Sequence, residues 1–570
     1  MKKVTLFNKL FSEFRIQDAL LCGLLGFIAA SVTFFNLGDI KFPQTDYNAT
    51  SNKPIFIDFG QMIEFEGVVF LNGGNPNVGG FRLYAWDGGN ASELFHEETR
   101  IIRFHWLAFQ FPVKTRYVIV EPSETGMCIL EMGFVSNDEY VKPVAYQPSD
   151  AVFMFDETWV IPENPSYINN MYFDETIHAF TAYEFIHSQM PHEWTHPPLG
   201  KSIIALGINI FGMTPFGWRF MSALFGVLMI FPIYALGKRI FKSRLFAFFA
   251  SFVFIFDFMR FVQARVATLD SFLLTFIICA YLFMYEYSSI RPENRLAPKA
   301  LMCLALSGVF MGLAISVKWQ GAFAGLGLFA LFVLTWNESR LDHDFYNKGT
   351  FTKSFSKTVV LCVLFFIVVP IVIYCLAYIP FSRASGLRWP EGIIENQLNM
   401  LKFHTQMAEN NIYQSRWWTW PLNLNPMVYN RLDIGAGRYS SISSFGNPAL
   451  WWGGLLALLW CVYRWIANKD KTARFLCVAW IAHILPWAFI SRSSFIYHYF
   501  PCVPFLALMV AYFIKTRSKQ RQVCYTLGCC ALVFIMFVVF YPALSGMTVN
   551  TNYIALLEWL PGWQFIRYGF

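Results

Sequence analysis

The tetrapeptide Phe-Asp-Glu-Thr occurs twice, at 155–158 and 173–176, in a chain of which only 14% of residues are charged. Each copy offers a carboxylate that could take the proton of an attacking hydroxyl, the work of a general base. The copies differ in their C-terminal neighbours. After the second, ETIHAFTAYEFI repeats apolar and aromatic residues at helical spacing. Asp174 therefore stands at or just before a helix N-terminus, where the helix dipole favours the ionised carboxylate. After the first comes WVIPENPSY, a loop broken by prolines. Asp174 is the expected base, and Asp156 a loop residue.

A second pattern lies further along the same stretch. His192-Glu-Trp-Thr-His196 fits the zinc-protease spacing H-E-x-x-H, which works when one helix carries both histidines on one face. Pro197 comes directly after His196 and pushes it out of the helical region, so such a helix would end on its own ligand. The zinc-protease reading is set aside, and no metal or other cofactor is expected.

What must position these residues is a frame embedded in a membrane. The chain has 570 residues, 56% hydrophobic and 19% aromatic, too apolar for an ordinary soluble enzyme. About eleven apolar segments read as bilayer spans, near 17–36, 216–237, 245–259, 267–285, 301–316, 320–336, 358–380, 448–464, 475–490, 498–514 and 523–544, of which the third and ninth are short. A basic leader (Lys2, Lys3, Lys9, Arg15) precedes the first, which is longer than a signal-peptide core and reads as a retained helix with its N-terminus in the cytoplasm. Threading from there puts Lys238, Arg239, Lys242 and Arg244, and the basic groups near 291–299, 348–357, 464–474 and 515–521, on the cytoplasmic side, as the positive-inside rule requires. Topology thus accounts for the net charge of +7, and nucleic acid is not an expected partner. Of twelve cysteines, eleven lie in or beside apolar segments and only Cys128 in a large outer loop, so no disulfide framework is expected. Asn48-Ala-Thr and Asn90-Ala-Ser are sequons on the outer side.

With sides assigned, the unusual polar residues converge on the outer boundary. They are Asp174 and Glu175, His196 and Lys201, Arg265 and Asp270 in RVATLD, Lys318 beside Trp319 in SVKW, His404 ahead of the cluster holding Trp418, and Arg492, Tyr497 and His498 in SRSSFIYHYFP. Ionisable groups beside hydrocarbon are costly and often functional. Carboxylates together with several cations suit a substrate whose anionic head lies at the interface while its tail stays in lipid. A phosphate-linked lipid fits, with Arg265, Lys318 and Arg492 as candidate head-group ligands, since arginine grips phosphate bidentately and lysine acts as a point charge. His483 and Asp257 are expected to be helix-packing partners.

Residues 38–150 differ in character. Gly/Asn/Pro-rich turns separate short β-rich runs such as IFIDFG, GVVFLNG, FRLYAWDG and CILEMGFV, the pattern of an all-β sandwich inserted on the outer side. The run TRYVIVEPSETGMCILEMGF resembles the galactose-binding-like jelly-roll modules; the module reads first as a structural lid or assembly surface, and the alternative, a sugar- or acceptor-binding role, has Trp86, Trp106 and Tyr84 as its candidate residues. The expected divisions are 1–37 (cytoplasmic N-terminus and first span), 38–150, 151–215 (catalytic outer loop), 216–380 (spans two to seven), 381–447 (outer aromatic loop) and 448–570 (spans eight to eleven with an outer C-terminus).

YFDETIHAFTAYEF, THPPLGK, ARVATLDSF, SVKWQG, QSRWWTWPL, FGNPALWW and YHYFP stand in an order and style similar to the dolichyl-phosphate-mannose protein mannosyltransferase family in its bacterial form, over roughly 154–570. The resemblance implies an all-α polytopic membrane protein of the GT-C fold, with a polyprenyl-phosphate sugar as donor. It implies Asp174 as general base, Glu175 as shaping the acceptor site, and His196 and Lys201 near the same cavity. It places the donor phosphate near Arg265, Lys318, Arg492, Tyr497 and His498, with Asp270, Trp319, His404 and Trp418 lining the site. Two departures stand out: there is no room between 381 and 446 for the β-trefoil module of the eukaryotic relatives, and Asn410-Asn411-Ile412-Tyr413 stands where the family commonly has a second histidine.

The implied reaction is one displacement at the anomeric carbon with inversion, moving mannose from the carrier phosphate to a hydroxyl, expected on protein Ser/Thr at the outer face of a bacterial plasma membrane. A sibling transferase acting on a lipid or cell-wall glycan shares every residue named. A transporter of lipid-linked sugars would need broken helices or paired repeats and polar groups at mid-membrane, which are sparse here.

Overall fold

Apolar runs of this length fold as helices because a chain in hydrocarbon must satisfy its own backbone hydrogen bonds. The structure, a computed structural model, describes residues 14–49, 52–73, 80–96, 103–124, 126–341, 348–406 and 411–566. The leader lysines Lys2, Lys3 and Lys9, Thr50 of the first sequon and Asn410 lie outside them. The chain divides into two compact units, one formed by 1–35, 184–206 and 220–570, the other by 36–183 and 207–219.

Among the described residues, ten helices are long and apolar enough to cross a membrane, and a bent pair brings the number to eleven. In chain order the helices are α1 (Ile16–Phe34), α2 (Glu175–Ile186), α3 (Leu199–Phe211), α4 (Pro215–Phe241), the bent pair α5 (Arg244–Ile255) and α6 (Phe258–Ala264), α7 (Asp270–Ser288), α8 (Pro298–Val317) and α9 (Trp319–Arg340). Next come α10 (Thr352–Ser385), α11 (Trp389–Gln406), α12 (Pro448–Asn468), α13 (Lys471–Phe489), α14 (Ile496–Lys515) and α15 (Lys519–Ser545). Every segment expected from hydropathy is present. The 65° bend between α5 and α6 has a cause in Asp257, which caps α6 by accepting from Arg260 N at 3.0 Å and also accepts from Trp451 Nε1 at 2.8 Å and Asn447 N at 3.2 Å. That aspartate is a packing residue. Helices α8 and α10 approach closely because Gly312 faces Pro370: a Cβ at 312 would lie 2.8 Å from Pro370 Cα.

The stretch expected as an outer aromatic loop has structure of its own. It holds α11 and a hairpin, β9 (Met427–Gly435) with β10 (Arg438–Ser444), to which the short β11 (Val549–Asn550) adds through Arg438–Asn550 and Tyr439–Val549 pairing. Ala436 and Gly437 turn the hairpin, both at positive φ (50° and 69°), as the favoured two-residue turns require. The C-terminal segment is less interfacial than its composition suggests, for Trp563 and Phe565 are buried against Phe445.

The second unit is built on an antiparallel eight-stranded sheet. Its strands are β1 (Tyr47–Ala49), β2 (Ile55–Asn72), β3 (Phe81–Trp86), β4 (Ala91–His96), β5 (Trp106–Pro122), β6 (Met127–Ser136), β7 (Glu139–Val141) and β8 (Ala145–Gln147), in the order β1-β6-β2-β5-β3-β4, with β7 on β6 and β8 on β2. Sequence reading separates IFIDFG from GVVFLNG; the structure joins them in the 18-residue β2, whose register shifts between Asp58 and Ile63 and between Phe65 and Gly67. Such bulges bend a strand, and bending lets one sheet close over a core of Val68, Phe70, Leu83, Val118, Ile129 and Phe134. The strands form one connected sheet rather than the two separate sheets of a stacked sandwich. Of the candidate sugar-contacting rings, Trp106 is buried at 3% exposure and drops out, whereas Trp86 and Tyr84 are partly exposed.

Candidate active site

The expected site residues fall in both units, and each group is described within its own. In the sheet-bearing unit, Asp174 is half-buried and directly precedes α2, and its carbonyl accepts from His178 N at 2.8 Å and Ile177 N at 3.1 Å. The expected place at a helix head is thus realised. Phe173, the residue before it, has φ +53°, a left-handed conformation uncommon for a residue with a bulky side chain. Glu175 is buried outright and its carboxylate is fully engaged: Arg219 donates from Nε and Nη2 at 2.7 Å each, Trp218 from Nε1 at 3.2 Å, and Tyr172 from its backbone N at 3.2 Å. Arg219 also donates to the carbonyls of Leu37 (3.0 Å) and Asn170 (2.7 Å), so it ties three segments together. A lone arginine near the head of an apolar span was the available signal for it.

The first Phe-Asp-Glu-Thr copy is occupied locally. Thr45 Oγ1 donates to Asp156 Oδ1 and Glu157 Oε2 at 2.9 Å each, and Gln44 N donates to Glu157 Oε2 at 2.7 Å. Glu157 N in turn donates to the buried Glu131 at 2.7 Å. Burial pushes the Glu131 carboxyl up to about 8, against these backbone donors, which favour its ionised form.

In the helical unit, six of the expected residues line one cavity of about 240 Å³: His196, Lys318, Trp319, His404, Arg492 and His498. They come from the α2–α3 loop, the α8–α9 junction, α11, the α13–α14 loop and the head of α14. Lys318 Nζ lies 3.1 Å from Asp270 Oδ1 and 5.1 Å above the ring of Tyr497, which brings both of those residues to the cavity's lysine. Gln320 fixes the turn after Lys318 by donating to His498 O at 2.7 Å, and Trp319 Nε1 donates to Tyr374 OH at 3.1 Å. His404 Nε2 lies 2.9 Å from Thr195 O; a carbonyl only accepts, so Nε2 carries the proton and Nδ1 is a buried acceptor with no partner among the described residues. Burial, with Arg492 and His196 nearby, holds the His404 ring down to about 4. Burial likewise pushes the Arg492 guanidinium down, and among the described residues no carboxylate lies within ion-pair reach of it.

His192–His196 is not helical, so the geometric premise of the zinc-protease pattern is not met. His192 Nδ1 instead lies 2.9 Å from Glu184 Oε2. Glu193 faces inward and forms a hub that sequence reading missed, because the decoy pattern cast it only as a protease base. Its carboxylate pairs with buried Lys201, accepts from Thr195 N at 2.8 Å, and lies 3.1 Å from His196 Nδ1. Lys201 therefore supports the cavity from behind rather than lining it. Burial lowers the His196 ring, opposed by Glu193.

Two expected residues lie elsewhere. Arg265 is buried, donates to the carbonyls of Thr33 (2.9 Å) and Phe35 at the end of α1, and stacks over Phe261 at 5.0 Å; it does not line the cavity with Lys318 and Arg492. Its cation anchors a helix end. Trp418 lines a second, larger cavity.

Residues 160–382 match the family described as dolichyl-phosphate-mannose-protein mannosyltransferase, and residues 390–563 match the C-terminal four TMM region of protein-O-mannosyltransferase. A polyprenol-phosphate-mannose-protein mannosyltransferase of Corynebacterium glutamicum is 28% identical, over 65% of this chain and 81% of its own length. One of the same description from Mycobacterium tuberculosis is also 28% identical, over 65% of this chain and 81% of its own. Among solved structures, a chain of the S. cerevisiae protein O-mannosyltransferase Pmt1-Pmt2 complex bound to the sugar donor aligns with a TM-score of 0.60, covering 69% of this chain and 89% of that chain at 14% identity. At that identity the likeness is one of fold, and it places the helical body in the GT-C class.

Proposed function

This chain belongs to the dolichyl-phosphate-mannose-protein mannosyltransferase family, and from that premise we propose that it moves mannose from a polyprenyl-phosphate carrier to Ser/Thr hydroxyls of proteins. It is a multi-pass membrane protein. The reading places its reaction on the outer face of a bacterial plasma membrane, supported by the cationic loops that the positive-inside rule assigns to the other side.

The observation that carries the reading is the 240 Å³ cavity, where Lys318 and Arg492 meet three histidines and an aromatic wall of Trp319 and Trp487. Arg492, desolvated and with no carboxylate in ion-pair reach among the described residues, is suited to an anionic guest, and a guanidinium grips phosphate through two parallel hydrogen bonds. Lys318 shares its charge with Asp270, which fixes its direction. We assign these two cations to the carrier phosphate. Arg265, turned to backbone carbonyls, takes a structural role.

In the reaction, the acceptor oxygen attacks the anomeric carbon as the bond from that carbon to the carrier phosphate breaks, with inversion. The hydroxyl proton goes to Asp174, and the bonding pair leaves on the phosphate oxygen. General-base help of this kind is worth about 10² to 10⁴ in rate. Fixed donors aimed at charge that develops on the leaving oxygen act without reorganising. The leaving charge is matched by Lys318 and Arg492, so the reading routes no step through a metal, and transfer is expected to survive a chelator. The test is to supply the purified chain in lipid nanodiscs with polyprenyl-phosphate-mannose and Ser/Thr peptides, and to identify products by mass spectrometry. Mannose found only on added glycans would replace the protein-acceptor reading with the sibling one.

A further inference from the structure

The larger cavity, about 770 Å³, shares Trp487, Ile490 and Arg492 with the smaller one and is otherwise separate from it. Its walls come from two segments, 414–419, which ends in a helical turn over Trp417–Thr419, and 487–494, the end of α13 and the loop after it, and hydrogen bonds stitch the two together. Ser415 N donates to Ser494 O at 2.8 Å, Ser494 Oγ to Ser415 O at 3.3 Å, and Ser493 Oγ to Gln414 Oε1 at 3.0 Å. Trp420, buried, braces that seam by donating from Nε1 to Ser415 Oγ at 2.9 Å.

Three properties of the lining narrow what it can hold. First, its polar side chains are mostly hydroxyls and amides, among them Thr405, Gln414, Thr419, Asn425 and Ser491. Such a lining suits a polar guest better than a prenyl tail. Second, the volume lies in the range that takes in a ligand much larger than one sugar ring, whereas the smaller cavity lies below that range. Third, two guanidiniums, Arg416 and Arg492, face it, and among the described residues no carboxylate does. Arg416 is exposed and lies 5.0 Å over the ring of Trp418, which holds its plane in place. A guest rich in acceptors and negative charge would be matched by these two cations.

We propose that this larger cavity is the acceptor site, and that it selects an extended polypeptide carrying acidic side chains near the hydroxyl to be mannosylated. The proposal rests on the transferase reading above. Arg492 stands where the two cavities join, so the donor's phosphate can occupy one side of it while the acceptor strand lies on the other. Arg416 lines the larger cavity and not the smaller, so it belongs to the acceptor alone.

The experiment uses the full chain in nanodiscs and three labelled peptides of equal length, each with one Thr flanked by acidic, neutral or basic residues. Binding is read by fluorescence anisotropy, and mannose transfer is read separately with polyprenyl-phosphate-mannose. The acidic peptide is expected to bind about five- to tenfold more tightly than the basic one, the size of one partly exposed charge contact. Arg416→Gln should flatten the ratio, and Arg416→Glu should invert it toward the basic peptide, a gain that a misfolded variant would not show. Equal binding of acidic and basic peptides overturns the proposal. So does a donor KM that rises with Arg416→Glu while the peptide ratio stays put, for the cavity would then serve the lipid phosphate. Charge-dependent binding with no transfer to any peptide would uphold the site and sink the transferase reading instead.

Discussion

Arg219 grips Glu175 through two parallel hydrogen bonds, Nε to Oε1 and Nη2 to Oε2, each 2.7 Å, with neither side chain exposed. Removing one member of a buried pair strands the other charge and costs about 3–5 kcal/mol. Glu175→Gln and Arg219→Gln should each lower the thermal unfolding temperature of the detergent-solubilised protein markedly. Activity at low temperature should fall only with the folded fraction. A Glu175→Gln protein as heat-stable as the parent yet inactive would mean that Glu175 serves the site itself, in line with the acceptor-shaping role that the family resemblance implies.

The two Phe-Asp-Glu-Thr copies should separate cleanly. Asp174→Asn is expected to cut turnover about 10²-fold or more while the protein stays folded and binds donor. Asp156→Asn keeps an acceptor for Thr45 and should leave turnover near normal. Equal loss from both, measured as kcat in detergent, would end the assignment of Asp174.

Lys318→Met and Arg492→Gln should raise the donor KM about tenfold or more, as expected for a charged hydrogen bond to a phosphate. Arg265→Gln should instead lower thermal stability with donor KM little changed, because its bonds go to Thr33 and Phe35 carbonyls. A donor KM that responds to Arg265 as strongly as to Arg492 contradicts the placement.

Glu193 orients His196 by holding a proton on Nδ1. Glu193→Gln keeps an acceptor there but loses the charge that pairs with Lys201. Its effect should appear in kcat and in the acidic limb of the pH profile more than in either KM. A uniform loss of folded protein with an unchanged pH profile would make Glu193 a structural residue only.

His404 gives a pH dependence with a definite sign. Its folded value, about 4, is below the ordinary 6.5, chiefly through burial. Above pH 6.5 both folded and unfolded chains carry it neutral, and its contribution to stability is complete. As pH falls from 6.5 toward 4 the unfolded chain takes up a proton that the folded one refuses, so stability declines. Between pH 7.5 and 5, the parent's unfolding temperature should drop further than that of His404→Gln; parallel curves would rule this out.

Hydropathy exposed the eleven spans because a bilayer demands length and apolarity, and both are local properties of the chain. The cationic cavity was legible in part for the same reason: Lys318, Arg492 and His498 are polar at or beside the end of a span. What local reading could not supply was direction. Arg265 looks like Arg492 in sequence, and its bonds to the carbonyls of Thr33 and Phe35, some 230 residues away, are what local reading could not see. Glu193 was hidden by a short pattern that named it for another chemistry. The joining of two short strands into β2 depended on bulges, which leave little trace in alternation.

Phe173 carries a further consequence. A residue with a Cβ held near φ +53° costs of order 1–3 kcal/mol, and glycine at that position would relieve it. The same glycine would put a swivel directly beneath the carboxylate of Asp174. Heat tolerance and catalytic aim therefore pull this one position in opposite directions. A programme that hardened the protein by relaxing its strained residues would blunt the base first, and the gain in melting temperature would conceal the loss until turnover was measured.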